Sequence, residues 1–471
     1  MKKSNSTKLI LGFAGSLLAM GSLQAQTATP PTATTQQLSS NAVSQITNGA
    51  GTAAPGGNLW GYVFGDYAYM GHGDSAGRGT KMQYKGLGAL GNQQTSNPNA
   101  FEVRRAYLGY NYNINSKFAA YALLAYEGDY DVNNNRTVYL KYIYFKWKNI
   151  FKGSDLKIGQ QATNSFANAY NTEPLLGYRS IEKTLLDMHG VDGSSDMGIA
   201  LEGKLWHNKP ADSTKVPTFI GYSAMVGDNS GNTPVPVFTG AGTAPNITTD
   251  KDKKFRLNVY VNTLNGALTV GGYTDVLNYG DNLYNTYTNF VPNNSTSSHH
   301  SEVVQTMKAY AVYNVPAFGI GFEWFTQSMT NGETEKFTPG NGTNDTLNAS
   351  QTGFSVFAHA AIIKDKLSIF ARYDSYTPDA VYSYNANETF TSKMTNLASI
   401  TNTYNGVVST VAGNTYKETF ITGGLDWSPT ADKRVHFMPN IWYYGIANGF
   451  GSDAMKADNY MVYRLTFLCA F

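Results

Sequence analysis

Residues 460 to 471 read YMVYRLTFLCAF. All but Arg464 and Thr466 are apolar or aromatic, a composition that suits neither a mobile tail nor a buried helix carrying an arginine. Period two resolves the conflict. Met461, Tyr463, Leu465, Phe467, Cys469 and Phe471 fall on one face of a strand, and Tyr460, Val462, Arg464, Thr466, Leu468 and Ala470 on the other. One face is uniformly apolar. The other tolerates a guanidinium and must meet water or polar partners.

The rest of the chain repeats that pattern. In FRLNVYVN, Phe255, Leu257, Val259 and Val261 oppose Arg256, Asn258, Tyr260 and Asn262. In LSIFARYD, Leu367, Ile369, Ala371 and Tyr373 oppose Phe370, Arg372 and Asp374. MGIALEGKL sets Met197, Ile199, Leu201 and Leu205 against Gly198, Ala200, Glu202 and Lys204. Charged residues make up 14% of the 471 residues, against about a quarter in soluble domains, while 33 Tyr and 47 Gly favour strands and turns. Mean hydropathy is −0.32, which excludes a bundle of membrane helices.

Residues 1–25 read as a secretory signal: Lys2, Lys3 and Lys8 precede an apolar run from Leu9 to Met20 and a cleavage site near Ala25. The run is short of the roughly 20 residues a membrane helix needs. Without that segment the formal charge becomes 2 − 3 = −1, so the apparent basicity carries no nucleic-acid reading. Residues 26–57 are rich in Thr, Pro, Ala and Gly and are expected to form a periplasmic arm. The single cysteine, Cys469, allows no internal disulfide.

Sixteen strand candidates lie between residues 58 and 471, and the connections alternate between tight turns and long loops. Among them, strands are expected at 267–276, 305–314, 318–328 and 353–362, with loops at 277–304 and 329–352. A sandwich has no reason to alternate loop length in this way. An even number of strands with short turns on one side and long loops on the other predicts an all-β, up-and-down transmembrane barrel in the outer membrane, its termini in the periplasm. Outward apolar positions then turn Arg105, Lys204, Arg256, Lys308, Arg372 and Arg464 inward, with Glu202, Asp275, Glu323 and Asp374 beside them. These are the pore-lining candidates, although any one could equally brace the wall as an internal ion pair. Loop 162–195 holds Glu173, Arg179, Glu182, Lys183, Asp187, His189 and Asp192, and is read either as a constriction (Arg179, Lys183, Asp187) or as a solvated surface loop.

Other motifs carry less. GDSAG at 73–77 matches a nucleophile pattern but lacks the strand-turn-helix elbow, so no enzyme is expected. DYDVNNNRTVYL starts like a calcium loop but has Asn134 and Leu140 where Gly and Glu are required. No cofactor or metal is implied.

FEVRRAYLGY at 101–110 resembles the arginine-bearing second strand of the phosphate-selective porin O/P-like family, and SDMGIALEGKL, FARYDSYTPD and GLDWSPTADKRVHFMPNIWYY are similar to its later strands and turns. The resemblance implies a homotrimeric outer-membrane porin through which ions and small hydrophilic solutes diffuse, with lumen cations, here Arg105 and Arg372, on an anion path. The lumen acids depart from a strongly cationic channel. A barrel that displays long loops for adhesion is the alternative. The closing aromatic, Phe471, resembles the signal read by barrel-assembly machinery.

Overall fold

The computed structural model describes residues 55–73, 99–127, 136–165, 183–208, 212, 215–229, 253–287, 295–337, 343–377, 381–384, 388–391, 402–403, 409–412, 417–447 and 458–471. The signal, the arm up to residue 54, Ser75 of GDSAG, the calcium-like loop from 129 to 135, and Arg179 lie outside these residues.

Strands β1 (Gly56–His72), β2 (Asn99–Asn113), β3 (Phe118–Tyr126), β4 (Tyr139–Phe151) and β5 (Ser154–Ala162) are followed by one helical turn, α1 (Leu185–Met188). Then come β6 (Ser195–His207), β7 (Phe219–Gly227), β8 (Lys254–Thr263), β9 (Leu268–Tyr287), β10 (Ser295–Val315), β11 (Phe318–Phe337), β12 (Thr343–Ile363) and β13 (Leu367–Thr377). Four short strands, β14 (Val381–Tyr384), β15 (Glu388–Thr391), β16 (Asn402–Thr403) and β17 (Ser409–Ala412), precede β18 (Lys417–Trp427), β19 (Val435–Ala447) and β20 (Asp458–Ala470). The sixteen strands β1 to β13 and β18 to β20 pair antiparallel and close into a barrel through β1 and β20.

The seam shows how the closing strand works. Tyr62 faces Ala470 and the ladder runs on to His72 opposite Met461. Phe471 donates its N–H to the Gly61 carbonyl at 2.9 Å and accepts from the Gly61 N–H at 3.0 Å. Gly61 leaves the space that the Phe471 ring fills: a Cβ there would stand 2.4 Å from it. Deleting Phe471 removes both hydrogen bonds and that contact. Membrane insertion is expected to fall more than secretion, read as barrel in the outer membrane against soluble chain in the periplasm.

Alternation sorts the faces as period two requires. On β8, Phe255, Leu257, Val259 and Val261 are 56%, 43%, 39% and 38% exposed, whereas Arg256, Asn258 and Asn262 are nearly inaccessible. The outward set is an apolar band of the kind a transmembrane barrel needs, since Lys or Arg on a lipid face costs roughly 2–4 kcal/mol near mid-bilayer.

The structure corrects three expectations. Strands β9 to β12 run 20 or 21 residues each, so pairing continues through much of 277–304 and 329–352, which the sequence reading leaves as loops. At about 3.3 Å per residue such strands reach on the order of 65 Å, well beyond a bilayer core of about 30 Å. Strand β1 starts at Gly56 rather than residue 58. The inner wall is also less polar than alternation implies. Tyr62, Phe64, Tyr107, Tyr121, Leu123, Tyr142, Phe370, Met438 and Leu468 form one buried apolar cluster on its inner side. Apolar residues therefore occupy both faces, and hydrophobicity alone does not separate lipid from a packed interior.

Candidate functional site: a segment folded across the lumen

Two β-bulges set part of the interior charge. In β1–β2 the register passes from Phe64 opposite Arg105 to Gly65 opposite Val103, leaving Arg104 as the extra residue. Arg104 and Arg105 are consequently both buried, although strict alternation would send one outward. In β3–β4 the register skips Lys141 between Leu123–Tyr142 and Leu124–Leu140, and Lys141 and Tyr142 are both buried as well. Neither Arg104 nor Lys141 is legible from period two, because a bulge resets its phase.

Each interior cation named by the sequence has a carboxylate or an aromatic ring beside it. Arg464 Nη2 lies 2.7 Å from Asp66 Oδ2, Arg104 pairs with the same carboxylate, and Thr466 donates to its other oxygen at 2.5 Å. The Arg464 guanidinium also stands 3.7 Å from the Trp442 ring centre. Arg105 Nη1 lies 3.5 Å from Glu127, which Lys141 approaches to 2.5 Å. Glu202 receives Lys157 at 2.7 Å and Lys146 at 3.4 Å, and Lys146 also reaches Asp155 at 2.8 Å. Lys308 reaches Glu323 at 2.5 Å, and Arg372 binds both oxygens of Asp374 at 2.8 and 2.6 Å. Lys204 is exposed near the tight-turn end of β6, its ammonium 4.3 Å from the Phe219 ring centre.

The residues around α1 then tie that wall together. Thr184 caps the turn, its hydroxyl accepting from the Asp187 N–H at 3.3 Å. The Leu185 N–H donates to Glu323 Oε1 on β11 at 2.9 Å, and Arg372 Nη1 on β13 donates to the Lys183 carbonyl at 2.5 Å. Leu185, Leu186 and Val191 pack with Tyr273, Phe325 and Tyr376. Met188 packs in a separate cluster with Ala68, Phe420, Trp442, Tyr444 and Val462. One short segment thus touches strands from β8 round to β1. The side chains of Lys183 and Asp187 stand 4.0 Å apart and are 43% and 16% exposed.

Asp192 is the second anchor. It accepts from Lys254 Nζ at 2.9 Å, Arg256 Nη2 at 3.1 Å, Ser165 Oγ at 2.5 Å and Tyr273 OH at 3.2 Å. Burial pushes its carboxyl up, but Arg256 and Lys254 outweigh burial and hold it below the usual carboxylate range. Arg256 also reaches Asp196 at 2.7 Å and Lys254 reaches Asp275 at 3.2 Å. Gly227 makes this arrangement fit, because a Cβ there would lie 2.3 Å from Asp196 Oδ2. Gly227→Val is therefore expected to displace Asp196 from Arg256 and to cost on the order of 1–3 kcal/mol from overpacking, read in denaturant unfolding of the micelle-held barrel.

The sequence reading marks Lys183, Asp187, Arg256, Glu323 and Arg372 separately, and the structure brings them into one assembly. It missed Arg104, Lys141, Lys146, Lys157, Lys254, Asp66, Glu127 and Asp196 as lumen groups. Among the described residues no cluster of three or more His, Cys, Asp or Glu is arranged to hold a metal, and no helix is long and apolar enough to cross a membrane.

No protein-family model matches the chain, and no curated protein matches it either. Solved structures do. The outer membrane channel DcaP of Acinetobacter baumannii superposes with a TM-score of 0.52 at 12% identity, over 89% of this chain and 99% of that one. An anion-selective porin from Comamonas acidovorans gives 0.49 at 12% identity, over 89% and 100%. OprB of Pseudomonas putida gives 0.48 at 13% identity, over 88% and 94%. At 12% identity the DcaP match is a likeness of fold alone: the two chains share a closed antiparallel β-barrel.

Proposed function

We propose that this chain is an outer-membrane porin: a water-filled channel, narrowed by the segment 183–196, through which ions and small hydrophilic solutes diffuse without turnover. The observation that carries this reading is the folding of a connection between two strands into the barrel, where it is held by Glu323, Arg372 and Arg256. A surface loop built for adhesion has no need of those lumen partners. Single-channel recording in a planar bilayer tests it; defined conductance steps are expected, and their absence would sink the reading.

The finer proposal is a preference for anions, phosphate among them, as the porin O/P resemblance implies. Charge on the wall formed by β20 and β1 to β4 supports it: Arg104, Arg105, Lys141 and Arg464 stand against Asp66, Glu102 and Glu127. The far wall leans the other way, with Asp192, Asp196 and Asp275 around Lys254 and Arg256. Arg105→Ala or Arg372→Ala removes a cation while its carboxylate remains. Each is expected to lower the anion-to-cation permeability ratio, measured as a reversal potential, without preventing insertion. An unchanged ratio in both would mean that these pairs brace the wall only.

Export by a cleaved signal at residues 1–25, the periplasmic arm at 26–57, delivery by barrel-assembly machinery and homotrimer formation belong to the same proposal. No nucleic acid and no cofactor enter it.

A further inference from the structure

We propose that His189 is a proton-operated latch that tightens the folded-in segment against β18 when the pH falls. The inference rests on the channel reading above for its consequence, though not for its geometry.

His189 follows α1, and its ring is almost wholly buried inside the barrel. Two of its neighbours, Glu418 and Tyr376, favour an imidazolium over an imidazole, against the burial that disfavours it. Nδ1 stands 3.5 Å from Glu418 Oε2 on β18, a carboxylate with 4% exposure. The ring lies on Tyr376 of β13, centroids 3.7 Å apart and planes 17° from parallel, so a positive charge would rest on an aromatic face. At 3.5 Å the contact with Glu418 is long for a hydrogen bond of a neutral ring. Protonation turns it into a charge-assisted one.

Other charged and titratable groups stand in the same assembly. On β19, Tyr444 donates its hydroxyl to Glu418. On β20, Tyr460 packs against Tyr444 at 6.4 Å between ring centres. On β13, Arg372 is bound by both Asp374 oxygens, so its repulsion of an imidazolium is offset. On the segment itself, Lys183 and Asp187 stand as a partly exposed pair. The anchors at Glu323 and Asp192 already carry cations, and Asp192 stays ionised throughout the range in which an imidazole titrates. His189 is the imidazole of this assembly, the side-chain type whose charge changes in the physiological range.

As the pH falls, then, the segment gains a second ionic attachment, to β18, beside the Asp192 pair with β8 and the Leu185 N–H bond to Glu323 on β11. Acidification is expected to close the lumen further.

The test uses the full chain carrying Cys469→Ser and Lys183→Cys, labelled with a maleimide in detergent micelles at pH 7.5 and 5.5. Each rate is divided by that of the same chain unfolded, which removes the thiol's own pH dependence. The normalised rate is expected to fall roughly five- to tenfold at pH 5.5, the lower end of usual coupling between linked equilibria. His189→Gln and, separately, Glu418→Gln should each flatten that response, so either suffices if the other does not fold. Equal normalised rates at the two pH values would overturn the latch, as would a full response in a folded His189→Gln barrel. If labelling responds as expected but no current flows in a bilayer, the latch stands and the channel reading fails. If current flows and labelling does not respond, the latch fails alone.

Discussion

Arg256→Ala should destabilise the barrel by about 3–5 kcal/mol, the usual result of removing one partner from a buried charge set. The reason lies in what remains. Asp192 and Asp196 both have 0% side-chain exposure and both lean on this guanidinium, at 3.1 and 2.7 Å. Lys254 is left to serve Asp192 and Asp275 and cannot reach three carboxylates at bonding distance. Two responses are open to the folded chain: take up a proton on one carboxyl, or withdraw Asp192 and with it the end of the folded-in segment. Either loses the clasp. Reversible denaturant unfolding of the micelle-held barrel gives the energy, and single-channel conductance, expected to rise, gives the loop. A loss below about 1 kcal/mol would mean that water already reaches the site. Arg256→Lys should recover part of the loss but not all, since an ammonium cannot hold both carboxylates through separate nitrogens as the guanidinium does.

The second large effect falls on Asp66, which is fully buried and receives both Arg104 and Arg464. Asp66→Ala leaves two guanidinium groups facing each other against the Trp442 ring, and about 3–5 kcal/mol of destabilisation is expected. Replacing the whole set, with Asp66→Leu, Arg104→Met and Arg464→Met together, should cost much less than Asp66→Ala alone. A buried ion network repays little beyond its own desolvation, and the surrounding wall is already apolar, with Phe64 and Trp442 against Arg104. The comparison is decisive because the two outcomes run opposite to the number of residues changed. If the triple variant proved the less stable, the ion set would be contributing net stability, and the wall could not be described as an apolar interior with charges inserted.

Much of the fold was written locally. Sixteen strands and their faces follow from period two, since each strand must meet lipid on one side, and tight turns alternate with long connections along the whole chain. What escaped local reading did so for physical reasons. Strands β9 to β12 are longer than a bilayer core requires, and along their extra length the alternation fades into Asn, Ser and Thr. Inward aromatics such as Phe370 and Tyr121 resemble lipid-facing ones in everything except phase. The pairing of the lumen charges is non-local: Arg464 and Asp66 are 398 residues apart and meet only because the barrel closes. Loop 162–195 carried a density of charge that suggested either solvent or constriction. Only the positions of Glu323, Arg372 and Arg256 on three distant strands show that its described part packs inside the barrel.

The bulges at Arg104 and Lys141 have an evolutionary consequence. A bulge takes up a one-residue shift in phase, so alternation resumes on either flank and the outward face stays apolar. Inserting or deleting a single residue in β2 or β4 would thus alter the interior by one charge and leave the exterior as it was. Such a barrel can adjust its interior charge by changes of strand length, a route that ordinary substitution, bound to every second position, does not offer.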